Sequence, residues 1–212
     1  MFDLATLGTF VVVVLGLFLV PGPAVLLVLT RAAQDGRKAG VFTGLGVAAG
    51  DFIHTLCASL GLSALLMTSA LAFNVVKLAG AAYLVYLGIR ALRAKADAGH
   101  AGNDLPRLAP VSPSQAFLQA IPAEVLNPKT ALFFLAFLPQ FVHADRGPVF
   151  LQFAVLGLIF VGLSAIYTTL IALSVRPLGR LVKRIGWLSR WQNKIIGVIF
   201  LSLGLKVATQ SR

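Results

Sequence analysis

Long apolar runs alternate with short polar segments along this chain, near residues 4–30, 41–66, 69–92, 114–142, 149–175 and 191–209. Crossing a hydrocarbon core takes about 20 apolar residues, so the pattern predicts six transmembrane helices. Two of these runs contain proline: Val20-Pro21-Gly22-Pro23 in the first and Leu126-Asn127-Pro128-Lys129 in the fourth. Proline lacks an amide donor and clashes with the preceding turn, so each run should be two half-helices. Backbone groups freed in lipid need partners, so such breaks persist only where they face protein or a watery cavity. Paired breaks in equivalent positions point to a transporter's binding site near the bilayer midplane.

The linker from Arg93 to Pro113 is rich in Ala, Gly, Pro and charge and divides the chain. Residues 1–93 form one three-span unit, 94–113 a cytoplasmic linker, and 114–212 a second three-span unit. The third span carries Lys77, Gly80, Tyr83-Leu84, Leu87-Gly88 and Arg90. The sixth answers, with a one-residue slip, in Lys194, Gly197, Phe200-Leu201, Leu203-Gly204 and Lys206. A duplication of three spans forces the two copies to cross the membrane in opposite senses. The expected fold class is therefore an all-α membrane protein of six transmembrane helices. Its two inverted three-helix repeats have broken helices 1 and 4.

Composition agrees with a membrane protein. Only 12% of the 212 residues are charged, against about a quarter in soluble domains, and mean hydropathy is +0.90. The net charge of +11 would point to nucleic acid in a soluble chain. Here the bases lie in loops, where they orient the protein and meet anionic lipid, so no nucleic-acid partner is expected. Arg31, Arg37 and Lys38, the bases from Arg90 to Arg107 and those from Arg176 to Arg190 share one side, with Arg146, Lys206 and Arg212 on the other. The positive-inside rule puts the first set in the cytoplasm and both termini on the periplasmic side. Met1-Phe2-Asp3 lacks the positive n-region of a signal peptide, so the first run is expected to stay as a span. Cys57 is the only cysteine, which excludes an internal disulfide.

In order and spacing, several motifs resemble the LysE/RhtB family of amino-acid exporters over nearly the whole length. They are Pro21-Gly22-Pro23, the glycine-rich second span through Gly50-Asp51, and Lys77…Gly80-Ala-Ala-Tyr83-Leu84…Leu87-Gly88. Asn127-Pro128-Lys129-Thr-Ala-Leu-Phe133-Phe134 and Pro139-Gln140-Phe141 complete the set. The resemblance implies export of amino acids or their derivatives from the bacterial cytoplasm across the inner membrane, driven by protons, often as a homodimer. It implies no cofactor. The Arg93–Pro113 linker shows no family feature and is silent on substrate.

Asp51 is the sharpest candidate for chemistry. At about 1.5 Å per residue it lies about 15 Å into its span, where an ionised carboxylate is costly without a nearby cation. Such a group can carry a proton or bind an amine. Glu124, one turn before the second break, lies at a similar depth, about 15 Å from Ser114. Asp51 and Glu124 are the expected proton-coupling pair. Lys129 adds charge to the fresh helix end behind Asn127-Pro128, and that end already favours a carboxylate. Pro23 and Pro128 suit first helical positions, and Asn127 is a natural cap. The expected substrate-binding set is Pro21, Gly22, Pro23, Ala24, Asp51, Asn127, Pro128, Lys129 and Thr130, with amides near Ala24 and Thr130 facing a substrate carboxylate.

Two rival readings use other residues. His54, three residues after Asp51, shares its helix face, so the pair could serve a metal-cation exporter. No other span histidine is present, and transition-metal sites usually need three or more ligands, so no resident metal is expected. Gly61-Leu-Ser63 and Gly162-Leu-Ser164 faintly resemble a hydrolase turn. His54 and Ser63 are too far apart on one helix to touch, so an enzyme is not expected. Phe133, Phe134, Phe137 and Phe141 should face lipid or neighbouring helices, and Arg176–Arg190 should form a basic cytoplasmic loop.

Overall fold

The computed structural model describes residues 2–19, 22–68 and 108–182. Of the third and sixth spans it also describes scattered positions, including Val75, Tyr86 and Val198, all helical. The repeat comparison, Lys77, Pro21 and most of the 94–113 linker lie outside the described residues.

The first span begins where Asp3 Oδ1 accepts the Thr6 amide at 2.7 Å, capping α1 (Leu4–Leu19). The chain resumes as α2 (Pro23–Gln34), with proline in its first turn behind an extended Gly22. The axes of α1 and α2 differ by 60°. A tight turn at Gly36, whose φ of 92° favours glycine, leads into α3 (Arg37–Cys57). A π-helical turn, Ala58–Leu62, carries α3 into α4 (Ser63–Thr68).

The second half opens with a capping box. Ser112 Oγ accepts the Gln115 amide, and Gln115 returns its side-chain oxygen to the Ser112 amide, starting α5 (Pro113–Val125). At the second break, Asn127 Oδ1 accepts the Lys129 amide at 3.1 Å and starts α6 (Pro128–Leu132). A π-helical turn (Phe133–Phe137) and a 3₁₀ turn (Leu138–Phe141) complete that span, bent by 46° at the break. The longest element, α7, runs from Val149 to Val182.

Arg37–Leu65 and Val149–Val175 are each long and apolar enough to cross a membrane, and the two bent pairs can supply two more crossings. One expectation needs correction. Helix α7 runs on through Arg176 and Arg180 to Val182, so the start of the expected basic loop is helical. Hydropathy falls there because Arg176 and Arg180 enter the sequence, yet the helix continues even through Pro177 and Gly179, the poorest helix formers.

The core has two lobes. Toward the Asp3 end, Phe10, Phe133, Phe137, Phe153 and Phe160 pack together; Phe133, Phe134 and Phe137 are therefore buried among helices. Toward the Arg31 end, small residues prevail, among them Ala32, Ala120 and Ala172. Helix α3 lies between α5 and α7 and comes close to both through glycine. A Cβ at Gly50 would stand 2.6 Å from Glu124 Cβ, and one at Gly44 2.7 Å from Thr168 Oγ1. Such small residues let membrane helices meet backbone to side chain.

Candidate functional site

Both breaks open onto one cavity. Gly22 and Ala24 line it from the first, Asn127, Lys129 and Thr130 from the second, and Asp51 and Glu124 from α3 and α5. Pro23 and Pro128 begin their half-helices without lining it. The cavity has a volume of about 30 Å³. That space suits one or two waters and is too small for an amino acid.

Lysine 129 ties the two breaks together. Its Nζ donates to the carbonyl of Leu17 at 3.1 Å, in the last turn of α1. The next carbonyl, Phe18, accepts the Tyr167 hydroxyl at 2.6 Å. A helix end leaves its last carbonyls unbonded, so α6 and α7 satisfy what the first break exposes. Gly22 makes room for this arrangement, since a Cβ there would come within 3.3 Å of Lys129 Nζ.

The two acids are held differently. Glu124 is 2% exposed, and its carboxylate accepts from Asn127 Nδ2 at 3.1 and 3.3 Å. Asn127 therefore fastens the acid to the cap of α6. Asp51 is 1% exposed, and neither of its oxygens has a hydrogen-bond partner among the described residues. The groups acting on it are Glu124, Ser164 and Lys129. A buried polar group without a partner is costly, so among the described residues Asp51 is the uncompensated group of the cavity lining.

His54 turns elsewhere. Its Nε2 lies 3.2 Å from the Glu124 carbonyl, which only accepts, so that nitrogen carries the proton. The ring stacks on Phe134 at 5.6 Å. Among the described residues, no three His, Cys, Asp or Glu side chains gather as metal ligands would.

Sequence reasoning missed the contribution of the fifth span. Ser164, Tyr167 and Thr168 of α7 line the cavity, together with Phe160. The available signal was hydroxyls three and four residues apart inside an apolar run, which places them on one face. Thr168 Oγ1 bonds back to the Ser164 carbonyl at 2.7 Å.

The family model for LysE type translocators matches residues 15–211. The chain belongs to that family. As a LysE type translocator it is a multi-pass membrane transporter and not an enzyme. An uncharacterized membrane protein of Pseudomonas aeruginosa is 33% identical over 95% of this chain and 94% of its own length. A leucine efflux protein of Klebsiella pneumoniae is 31% identical over 95% of this chain and 93% of its own. Another leucine efflux protein, from Salmonella choleraesuis, is 30% identical over 95% and 93%. No solved structure matches this LysE translocator.

Proposed function

We propose that this translocator exports amino acids or related small zwitterions from the bacterial cytoplasm across the inner membrane, in exchange for protons. Neutral aliphatic amino acids are the first substrates to consider, because two similar proteins are named for leucine efflux. The observation that carries the reading is the single cavity where both helix breaks meet two buried acids and a lysine. A zwitterion needs a negative partner for its amine and a positive one for its carboxylate, and the cavity lining offers both.

In the proposed cycle, the amine meets Asp51 or Glu124. The carboxylate meets Lys129 and the amides near Ala24 and Thr130, which precede the first helical bonds of α2 and α6, made by Leu26 and Ala131. A proton arriving from outside discharges an acid, releases the amine and favours return of the empty carrier. The architecture for this exchange is two inverted repeats, residues 1–93 and 114–212, joined by the linker 94–113. Loop charge supports a cytoplasmic position for the Arg31 end of the molecule and a periplasmic one for both termini.

An export screen tests the activity. Cells overexpressing the protein are challenged with individual amino acids, and relief of toxicity is compared with accumulation in the medium. Failure of every amino acid and related zwitterion in the screen to accumulate sinks the proposal. Coupling is tested in vesicles: Asp51→Asn should insert and fold yet lose pH-driven transport, and full proton-coupled activity would remove Asp51 from the cycle.

A further inference from the structure

The cavity lining changes character along α7. Phe160, Ser164 and Thr168 follow at four-residue spacing, so they occupy one face with about 6 Å of rise between neighbours. Ser164 and Thr168 line the cavity with hydroxyl side chains, and Thr168 meets α3 at Gly44. Phe160 stands with rings. It is 1% exposed, and its centroid lies 5.2 Å from that of Phe18, 5.1 Å from Phe133 and 5.0 Å from Phe134. The Tyr167 hydroxyl is already committed to the Phe18 carbonyl, and its ring stacks on Phe18 at 5.1 Å.

The charged groups suit an amine and a carboxylate, which every α-amino acid carries, so they cannot tell one amino acid from another. Discrimination therefore falls to the rest of the lining. On the Phe160 side the described lining is apolar, made of Leu17, Phe18 and Phe160, with the Tyr167 hydroxyl already committed. A charged or hydroxylated side chain entering it would lose its hydration without replacement. We propose that Phe160 is the specificity-determining residue of this transporter, the stop against which the substrate's side chain ends. The inference rests on the amino-acid export reading and deepens it. Phe18, Phe133 and Phe134 brace the ring, so the stop is firm and its size sets the limit.

The test uses full-length protein in liposomes loaded with labelled valine, leucine, phenylalanine or lysine, with efflux measured for the natural sequence and Phe160→Ala, Phe160→Leu and Phe160→Trp. One methylene in an apolar pocket is worth about 10–200-fold in discrimination. Phe160→Ala should therefore raise the phenylalanine-to-leucine efflux ratio at least about tenfold. Phe160→Trp should shift preference from leucine toward valine, and lysine should stay inside in every case. If Phe160→Ala fails to fold, Phe160→Leu and Phe160→Trp carry the same comparison in opposite directions. Unchanged ratios in folded, active variants overturn the role of Phe160 and leave the export reading intact. A natural protein that exports none of the four overturns this inference, while the export screen decides the export reading separately.

Discussion

Lys129 Nζ donates to the Leu17 carbonyl at 3.1 Å, so the second interruption supplies the cation that closes the helix before the first. Hydrogen bonds to charged groups contribute about 1.5–3 kcal/mol. Lys129→Met should lower stability by about that amount, because the buried carbonyl loses its donor. Lys129→Arg keeps a donor and should recover part of the loss. Thermal unfolding in detergent measures both, and a Met variant as stable as the natural protein would show that this bond does not hold the breaks together.

Glycine 50 permits α3 to touch α5 at Glu124. Gly50→Ala would set a Cβ 2.6 Å from Glu124 Cβ and 3.1 Å from the Ile121 carbonyl. Backbone must give way, and overpacking of this kind costs about 1–3 kcal/mol. The same change at Gly61 meets open space. Gly50→Ala should therefore depress the melting temperature and transport together, while Gly61→Ala leaves both near their natural values. Equal melting temperatures for the two variants would contradict the close packing described here.

Arginine 31 joins the two halves at the other end of α2. It is 4% exposed, pairs with Asp35 at 2.9 Å, and donates to the Ala109 carbonyl at 2.7 Å and to Gln119 Oε1 at 2.8 Å. Removing one partner of a buried pair strands the other, at about 3–5 kcal/mol. Arg31→Ala should be strongly destabilising, and Arg31→Met combined with Asp35→Ala less so, since the stranded charge is gone. A double variant that unfolds earlier than Arg31→Ala would refute this account.

At the first turn of α1 the amide of Thr6 holds the Asp3 carboxyl below its ordinary range, with the Thr6 hydroxyl and Arg146 adding to the effect. A lowered value in the folded form means the cap stabilises fully above the ordinary value of 3.8 and fades as pH falls through the lower folded value. A carbon-detected titration of Asp3 should give a midpoint under 3.8, and Thr6→Pro, which removes the amide, should return it upward. A natural midpoint at or above the ordinary value would exclude the cap.

How much of this was legible in the sequence follows from how local each cause is. The two breaks were legible because proline acts on its own turn, and Asn127 as a cap needs only its neighbours. The burial of Asp51 and Glu124 could be anticipated from their places inside apolar runs. The partner of Lys129 could not, since it depends on how α1 leans against α6, 112 positions away. Tyr167 shares a helix face with Ser164 and Thr168, but its bond to Phe18 exists only once α7 lies beside α1. Hydropathy misjudged the end of α7 because it reports where lipid stops, not where the helix stops.

That helix deserves a mechanical reading. Its 34 residues span about 51 Å at 1.5 Å each, well beyond a hydrocarbon layer of about 30 Å. While its neighbours across the cavity are jointed, α7 carries no proline from Val149 until Pro177. Leverage applied before Pro177 would reach Thr168 and Phe160 without passing through a joint, whereas a pull applied beyond it would meet the bend that proline favours.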